Sequence, residues 1–254
     1  MKLKVLGCSG GIGGRLRTTS MLLDDDVLID GGTGVGDLEI EALAKIDHIF
    51  VTHSHMDHVA FIPLLVDTVG CMRDKPVTLH ATAPTLAILR EHLFNWKLWP
   101  DFTQIPDSSA PYMKFETIEV GRTVDLGGRR ITALPAQHVV PAVGFQLDGG
   151  RASLVFTGDT TANGRLWQAV NKIGNLRYLV IETAFSNSEQ KLAVASKHLC
   201  PSMLAEELKQ LTHVAEIYIT HLKPGEIELI MQEIDECAGD RRPRMLTAGQ
   251  VFEL

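Results

Sequence analysis

Four metal-binding side chains fall within six residues in Thr52-His53-Ser54-His55-Met56-Asp57-His58, and this stretch constrains the chain more than any other. It directly follows His48–Thr52, a short apolar run that reads as a strand. On an extended segment His53 and His55, two apart, point to the same side. Asp57 and His58 come where the chain turns into a helix and can reach a second metal. Imidazole and carboxylate are ligands that zinc, manganese or iron accept without thiolate. One loop, however, cannot complete two sites.

Further candidates stand at predicted strand ends: His138 in Pro135-Ala136-Gln137-His138, Asp159 in Thr157-Gly158-Asp159-Thr160, and His221 in Ile219-Thr220-His221. A strand end holds a side chain rigidly beside a loop-lined pocket. A carboxylate has two oxygens and can bridge two ions. The reading therefore assigns His53, His55 and His138 to one divalent ion, Asp57, His58 and His221 to another, and Asp159 between them. Any one of these histidines alone would be read as core or surface; the combination carries the signal.

The rest of the chain suits such a scaffold. At 254 residues, 45% hydrophobic and 22% charged, it is expected to form one globular domain over 1–254. Strands are predicted at Leu3–Leu6, Val27–Asp30, His48–Thr52, Val77–Ala81, Ile131–Leu134, Val143–Leu147, Ser153–Thr157, Tyr178–Glu182 and Glu216–Thr220. Helices are predicted over Phe61–Gly70, Thr85–Leu93 and Pro201–Leu211, and from about Glu226. Mixed strands and helices throughout imply a layered α/β architecture. The longest apolar run, Val59–Val66, has eight residues and a proline, against the roughly twenty a membrane span needs. The N-terminus lacks the apolar core of a signal peptide, and four scattered cysteines make no disulfide framework, so a cytoplasmic setting is expected. The formal charge of −7 argues against broad capture of nucleic acid.

This sequence resembles the metallo-β-lactamase superfamily, whose signature is H-x-H-x-D-H followed by His, Asp and His. The resemblance runs from Val5-Leu6-Gly7-Cys8-Ser9-Gly10-Gly11 to His221. It implies a four-layer αβ/βα sandwich with a two-metal site between the sheets, with zinc expected and manganese or iron as alternatives. It also implies that Asp30, in Leu28-Ile29-Asp30-Gly31-Gly32, braces the metal loop.

Two ions a few ångströms apart make hydroxide available near neutral pH and can clamp an in-line displacement. That suits a phosphodiester, thioester, lactone or lactam. A second pattern narrows the choice. Ser196-Lys197-His198-Leu199-Cys200-Pro201 sets a histidine before a helix, and Glu182 ends a strand sixteen residues earlier. A histidine facing a carboxylate is held in one tautomer and is easier to protonate, which suits protonation of a departing alkoxide. Phosphodiesterase branches of the superfamily, including the tRNA 3′-processing ribonucleases, share this arrangement. His198-Leu199-Cys200-Pro201, Thr220-His221-Leu222-Lys223-Pro224 and Phe94-Asn95-Trp96-Lys97-Leu98-Trp99-Pro100-Asp101-Phe102 are similar to the class II cyclic-nucleotide phosphodiesterases. That family has Thr at Cys200, Leu at Met56 and a small residue at Phe61. None of these departures touches a ligand, and Phe61 lies near the metal loop.

The expected activity is therefore hydrolysis of 3′,5′-cyclic AMP or GMP to 5′-monophosphates by metal-bound hydroxide, with His198, Glu182 and Asp57 as catalytic residues. The partner expected is a small nucleotide; a homodimer is left open. An RNA phosphodiesterase, a thioester or lactone hydrolase, and a nucleotide sensor without turnover are the rivals. Trp96, Trp99 and Phe102 form a candidate lip for stacking a base, and Lys223 a candidate phosphate contact. Gly7-Cys8-Ser9-Gly10-Gly11 fits G-x-S-x-G but follows the first strand, so it reads as a glycine-rich turn near the site. His48, His80, His92 and His213 read as structural, and Asp24-Asp25-Asp26 as a turn.

Overall fold

In the computed structural model, which describes residues 1–254, the short apolar runs become strands whose alternate side chains enter different cores. The strands are β1 (Lys2–Gly7), β2 (Ser20–Leu23), β3 (Val27–Ile29), β4 (His48–Phe50), β5 (Val77–Ala81), β6 (Met113–Thr117), β7 (Thr123–Asp125), β8 (Arg130–Pro135), β9 (Val143–Asp148), β10 (Ser153–Phe156), β11 (Leu176–Glu182), β12 (Glu216–Thr220), β13 (Arg244–Met245) and β14 (Val251–Glu253). The helices are α1 (Ile40–Leu43), α2 (Met56–Val59), α3 (Phe61–Val69), α4 (Ala83–His92), α5 (Gly164–Val170), α6 (Gln190–Ser196), α7 (Pro201–Leu208) and α8 (Ile227–Ala238).

Two seven-stranded sheets form, in the orders β14-β1-β2-β3-β4-β5-β6 and β13-β12-β11-β10-β9-β8-β7. Period-two alternation explains their stacking. Val27, Ile29, Phe50, Phe145, Leu154, Phe156 and Val180 share a core between the sheets. Their neighbours Leu28 and Ile49 turn to an outer core with Ile62, Leu65 and Leu86. Val155, Leu179 and Ile181 turn to the opposite outer core with Trp167, Leu204, Leu208 and Ile230. The result is the expected helix–sheet–sheet–helix sandwich, and the central strands are apolar on both faces because both faces are covered. No helix is long and apolar enough to cross a membrane.

Pairing is parallel from β3 through β6 and from β10 through β13. Pro201 occupies the first turn of α7, where a missing N–H does least harm, and Thr82 and Asn163 cap α4 and α5. The sequence reading did not place β2, β6, β7, α1, α5 or α6.

The aromatic lip is not where the sequence reading put it. Parallel strands β5 and β6 oblige α4 and residues 94–111 to carry the chain back to the starting edge of β6. There Met113 N donates to Phe102 O at 3.2 Å and Tyr112 N to Ile105 O at 2.7 Å. The metal loop lies past the opposite ends of these strands. Phe94 and Phe102 are buried in the outer core and Trp99 packs against it; Trp96 is exposed at the far end. The segment plugs the bottom of the core. The acidic trio also has a partner: Arg129 pairs with Asp26 and lies 3.6 Å from Asp24.

His80, on β5, shows the weight of burial. Its ring stacks on Phe50 at 4.3 Å and its Nε2 lies 3.0 Å from His48 Nδ1, so one imidazole donates to the other. Burial, helped by His48 and Lys114, pushes His80 down to about 4. The folded chain thus holds it neutral while the unfolded chain protonates near 6.5. Its stabilisation is complete above that value and is lost as pH falls toward 4. Thermal melts across this window are expected to show a shallower acid decline for His80→Phe than for wild type; parallel curves would refute the assignment.

Candidate metal centre

The site residues share one end of the sandwich because each follows the carboxyl end of a strand. β4 leads into His53, His55, Asp57 and His58; β8 into His138; β10 into Asp159; β11 ends on Glu182; and β12 is followed at once by His221. Ligand sites in open α/β sheets form beyond such ends. All seven predicted metal residues are brought together as two groups, His53–His55–His138–Asp159 and Asp57–His58–Asp159–His221, with ligand atoms within 4.8 Å of one another in each.

Asp159 lies at the join. Its Oδ2 is 3.5 Å from His53 Nε2, 3.4 Å from His58 Nε2 and 4.0 Å from His138 Nε2, while Oδ1 is 3.3 Å from His221 Nδ1. Asp57 Oδ2 stands 3.9 Å from His58 Nε2 and 3.7 Å from His221 Nε2.

The outward nitrogens are set by what holds the others. His53 Nδ1 donates to Thr52 Oγ1 at 3.0 Å, because that hydroxyl already donates to Asp30. His58 Nδ1 donates to Asp30 Oδ2 at 2.7 Å, and His138 Nδ1 to the Lys197 carbonyl at 3.1 Å. Each then turns its Nε2 inward, that of His138 to 3.2 Å from His55 Nδ1. His53 Nε2, His58 Nε2 and His221 Nδ1 are buried without any hydrogen-bond partner. Buried polar atoms are normally satisfied; these three converge on one carboxylate, and a divalent cation fits what they lack.

The electrostatics agree. Burial holds His53 well below its ordinary value, lowers His55, and takes His138 to about 4 and His221 to about 3. These four imidazoles stay neutral, the form that ligates metal. Burial also works against charge on His58, but Asp159 and Asp30 outweigh it and raise that imidazole. Burial alone would raise Asp159; the charge on His58 overcomes it and holds the carboxyl well below the usual range. Bound ions would take over the role of that proton on His58.

Asp30 braces the loop as the resemblance implied, accepting from Thr52 N at 2.8 Å as well as from Thr52 Oγ1 and His58 Nδ1. Two glycines allow close approach: a Cβ on Gly10 would lie 2.4 Å from His221 O, and one on Gly32 2.4 Å from Asp57 O. Ser9 donates to the Leu222 carbonyl at 3.4 Å, as a turn residue rather than a nucleophile. Lys223 Nζ donates to Gly10 O at 2.7 Å and so tethers the glycine loop. Sequence reasoning missed Thr52 and Lys197. Lys197, left-handed at φ 55°, grips His138 twice, its carbonyl accepting from Nδ1 and its Nζ donating to His138 O at 3.0 Å. Their adjacency to His53 and His198 was the only signal.

Beside the cluster, His198 Nδ1 donates to Glu182 Oε1 at 2.8 Å, and Glu182 also accepts from Thr160 N and Leu199 N. The His198 ring stacks on His221 at 5.1 Å and stands edge-on to His138 at 4.8 Å. Burial opposes charge on His198, but Glu182 outweighs it and raises the imidazole; burial also raises Glu182.

Residues 26–222 match the family described as "Beta-lactamase superfamily domain". The chain belongs to the metallo-β-lactamase superfamily. Among curated relatives, a "Probable 3′,5′-cyclic-nucleotide phosphodiesterase" of Yersinia pestis is 25% identical over 207 residues, covering 71% of this chain and 58% of that protein. Ribonuclease Z of Bradyrhizobium diazoefficiens is 31% identical over 145 residues, 54% of this chain and 46% of that one. The chain thus spans less than two thirds of the length of either. The crystal structure of unliganded yeast PDE1 superposes with a TM-score of 0.83 at 17% identity, covering 100% of this chain and 99% of that one. As a member of the superfamily the chain carries a metal-dependent hydrolase fold with a His/Asp cluster suited to metal. If Asp30 orients the metallo-β-lactamase loop, Asp30→Asn is expected to weaken zinc affinity about 10–100-fold in competition with a chromophoric chelator. Unchanged affinity would rule that out.

Proposed function

We propose that this chain is a metal-dependent phosphodiesterase that hydrolyses 3′,5′-cyclic nucleotides to 5′-monophosphates. The observation that carries the reading is the Glu182–His198 pair, at 2.8 Å, set against the rings of His138 and His221. Thioester hydrolysis expels a thiolate that leaves without a proton, whereas a departing ribose alkoxide needs one.

His53, His55 and His138 would hold one ion and Asp57, His58 and His221 the other, with Asp159 shared. Two divalent ions bound there, zinc with manganese or iron as other fitting choices, make hydroxide available near neutral pH and neutralise the phosphate. The protein's own part is orientation. Glu182 fixes His198 with Nδ1–H turned inward, so Nε2 carries the proton to the leaving 3′ oxygen. Asp57, with its side chain 27% exposed, is the most open carboxylate of the cluster and positions the attacking water. The Yersinia pestis relative supports the substrate class, and a small monoanion suits a chain of charge −7. The ribonuclease Z relative favours a second reading, an RNA phosphodiesterase.

The test uses metal-loaded protein with cyclic AMP, cyclic GMP, a precursor tRNA and bis(p-nitrophenyl) phosphate. Cyclic nucleotides are expected to turn over with weak dependence on salt. His198→Ala is expected to keep its metal and lose about 10²–10⁴-fold in kcat on cyclic nucleotides, with a smaller loss on the p-nitrophenyl ester, whose leaving group needs no proton. Equal losses on both would remove His198 as the acid. Cleavage of tRNA with inert cyclic nucleotides would install the second reading.

A further inference from the structure

A pocket of about 400 Å³ is walled by Ile12, Leu16 and Phe61 on its apolar side and by Arg17, Thr33 and Asp37 on its polar side, and the loops that form it run on to His221 and His58. That volume falls in the range of about 300–1,000 Å³ typical of small-ligand sites.

Both walls are tied to the centre. The loop bearing Ile12 is anchored where Gly10 N donates to Leu222 O at 3.0 Å, next to His221, and where Lys223 holds the Gly10 carbonyl. Phe61 stands three residues beyond His58, and its N–H donates to Gly31 O at 2.9 Å. Its ring lies against Gly36, where a Cβ would come within 2.5 Å of Cε1, so glycine there is a condition of the ring's position. Arg17 stiffens the loop from below: Nε and Nη2 reach Asp37 at 2.8 and 3.3 Å, and Nη1 donates to Gly14 O and Leu16 O. Ile12 nevertheless leaves 70% of its surface to solvent on this braced loop. A large apolar side chain held out on a preorganised loop contributes nothing to the core, and it lines the same pocket as the Phe61 ring.

We infer that this pocket takes the nucleobase of a nucleotide whose phosphate lies at the metal centre, with the base between Phe61 and Ile12 and its exocyclic amino group toward the Asp37 carboxylate. The inference rests on the phosphodiesterase reading for its ligand class. Stacking on an aromatic side chain strengthens binding by about tenfold or more per base, independently of the phosphate contacts.

Calorimetric titration of the metal-loaded chain with AMP, and separately with ribose 5-phosphate, isolates the base. AMP is expected to bind about tenfold or more tightly. Phe61→Ala should bring the AMP to ribose 5-phosphate ratio near one. Ile12→Ser, which alters an exposed side chain and leaves the core intact, should lower the ratio several-fold. Equal affinities in the wild type, or a ratio unmoved in both variants, would overturn the assignment. The parent reading fails by a different result: wild-type protein that hydrolyses bis(p-nitrophenyl) phosphate and no cyclic nucleotide.

Discussion

The Asp30 carboxylate has no exposed surface, yet it accepts hydrogen bonds from Thr52 N, Thr52 Oγ1 and His58 Nδ1, and through them it sets the turn from β4 into α2. Asp30 itself adopts φ 57°, a left-handed conformation that aspartate tolerates better than most residues. The carboxylate can then fold back beneath the loop that follows the neighbouring parallel strand. Hydrogen bonds to a charged group are worth about 1.5–3 kcal/mol each, and a buried carboxylate stripped of partners would be strongly destabilising. Asp30, Thr52 and His58 therefore form a unit in which no member can be lost alone. The backbone of the metal loop inherits its geometry from that unit, and His53 and His58 inherit their tautomers.

The loop supplies only half of the centre. His53, His55, Asp57 and His58 come from the first sheet, whereas His138, Asp159, Glu182, His198 and His221 come from the second. The two halves meet because both sheets bury one face in the same core, with Phe50 edge-on to Phe145 at 5.8 Å. Sites carried on strand ends of a packed scaffold are held more tightly than sites on free loops. Here the packing between the sheets fixes the distances between ligands.

This division explains what could be read in the sequence. The loop is local, so its ligands and their spacing were visible in seven residues. The strands of β4, β5, β10, β11 and β12 were visible because burial on both faces makes them continuous apolar runs. The distant ligands were visible as polar residues just past such runs. What stayed hidden depends on long-range topology. Met113–Thr117 carries Lys114 and Glu116 on an edge strand and so gave no apolar run. Without β6, nothing showed that residues 94–111 had to return to the bottom of the sheet, and their aromatics looked free to roof the site. Phe61 stood out in the sequence only as a departure near the metal loop; that it shares a pocket with Ile12 depends on a loop joined to the end of β12 through Gly10 and Leu222. Lys197 acts through its carbonyl and its backbone twist, which leave no mark in side-chain chemistry.

Lys197 and His198 also show how one short segment gives two imidazoles different surroundings. Lys197 offers a neutral carbonyl to His138 Nδ1, which leaves that imidazole a neutral base whose Nε2 lies 3.2 Å from His55 Nδ1 within the cluster. The next residue, His198, places its Nδ1 on the Glu182 carboxylate, which favours the protonated ring. His58 has a carboxylate partner as well, so the partner alone does not decide the role. The difference lies in the second nitrogen. His58 Nε2 is sealed beneath Asp159 with no route to a substrate. The His198 side chain keeps 8% of its surface open, at the edge of the cluster. Of the two imidazoles held by carboxylates, His198 is thus the one left partly open to solvent, and His58 the one closed off.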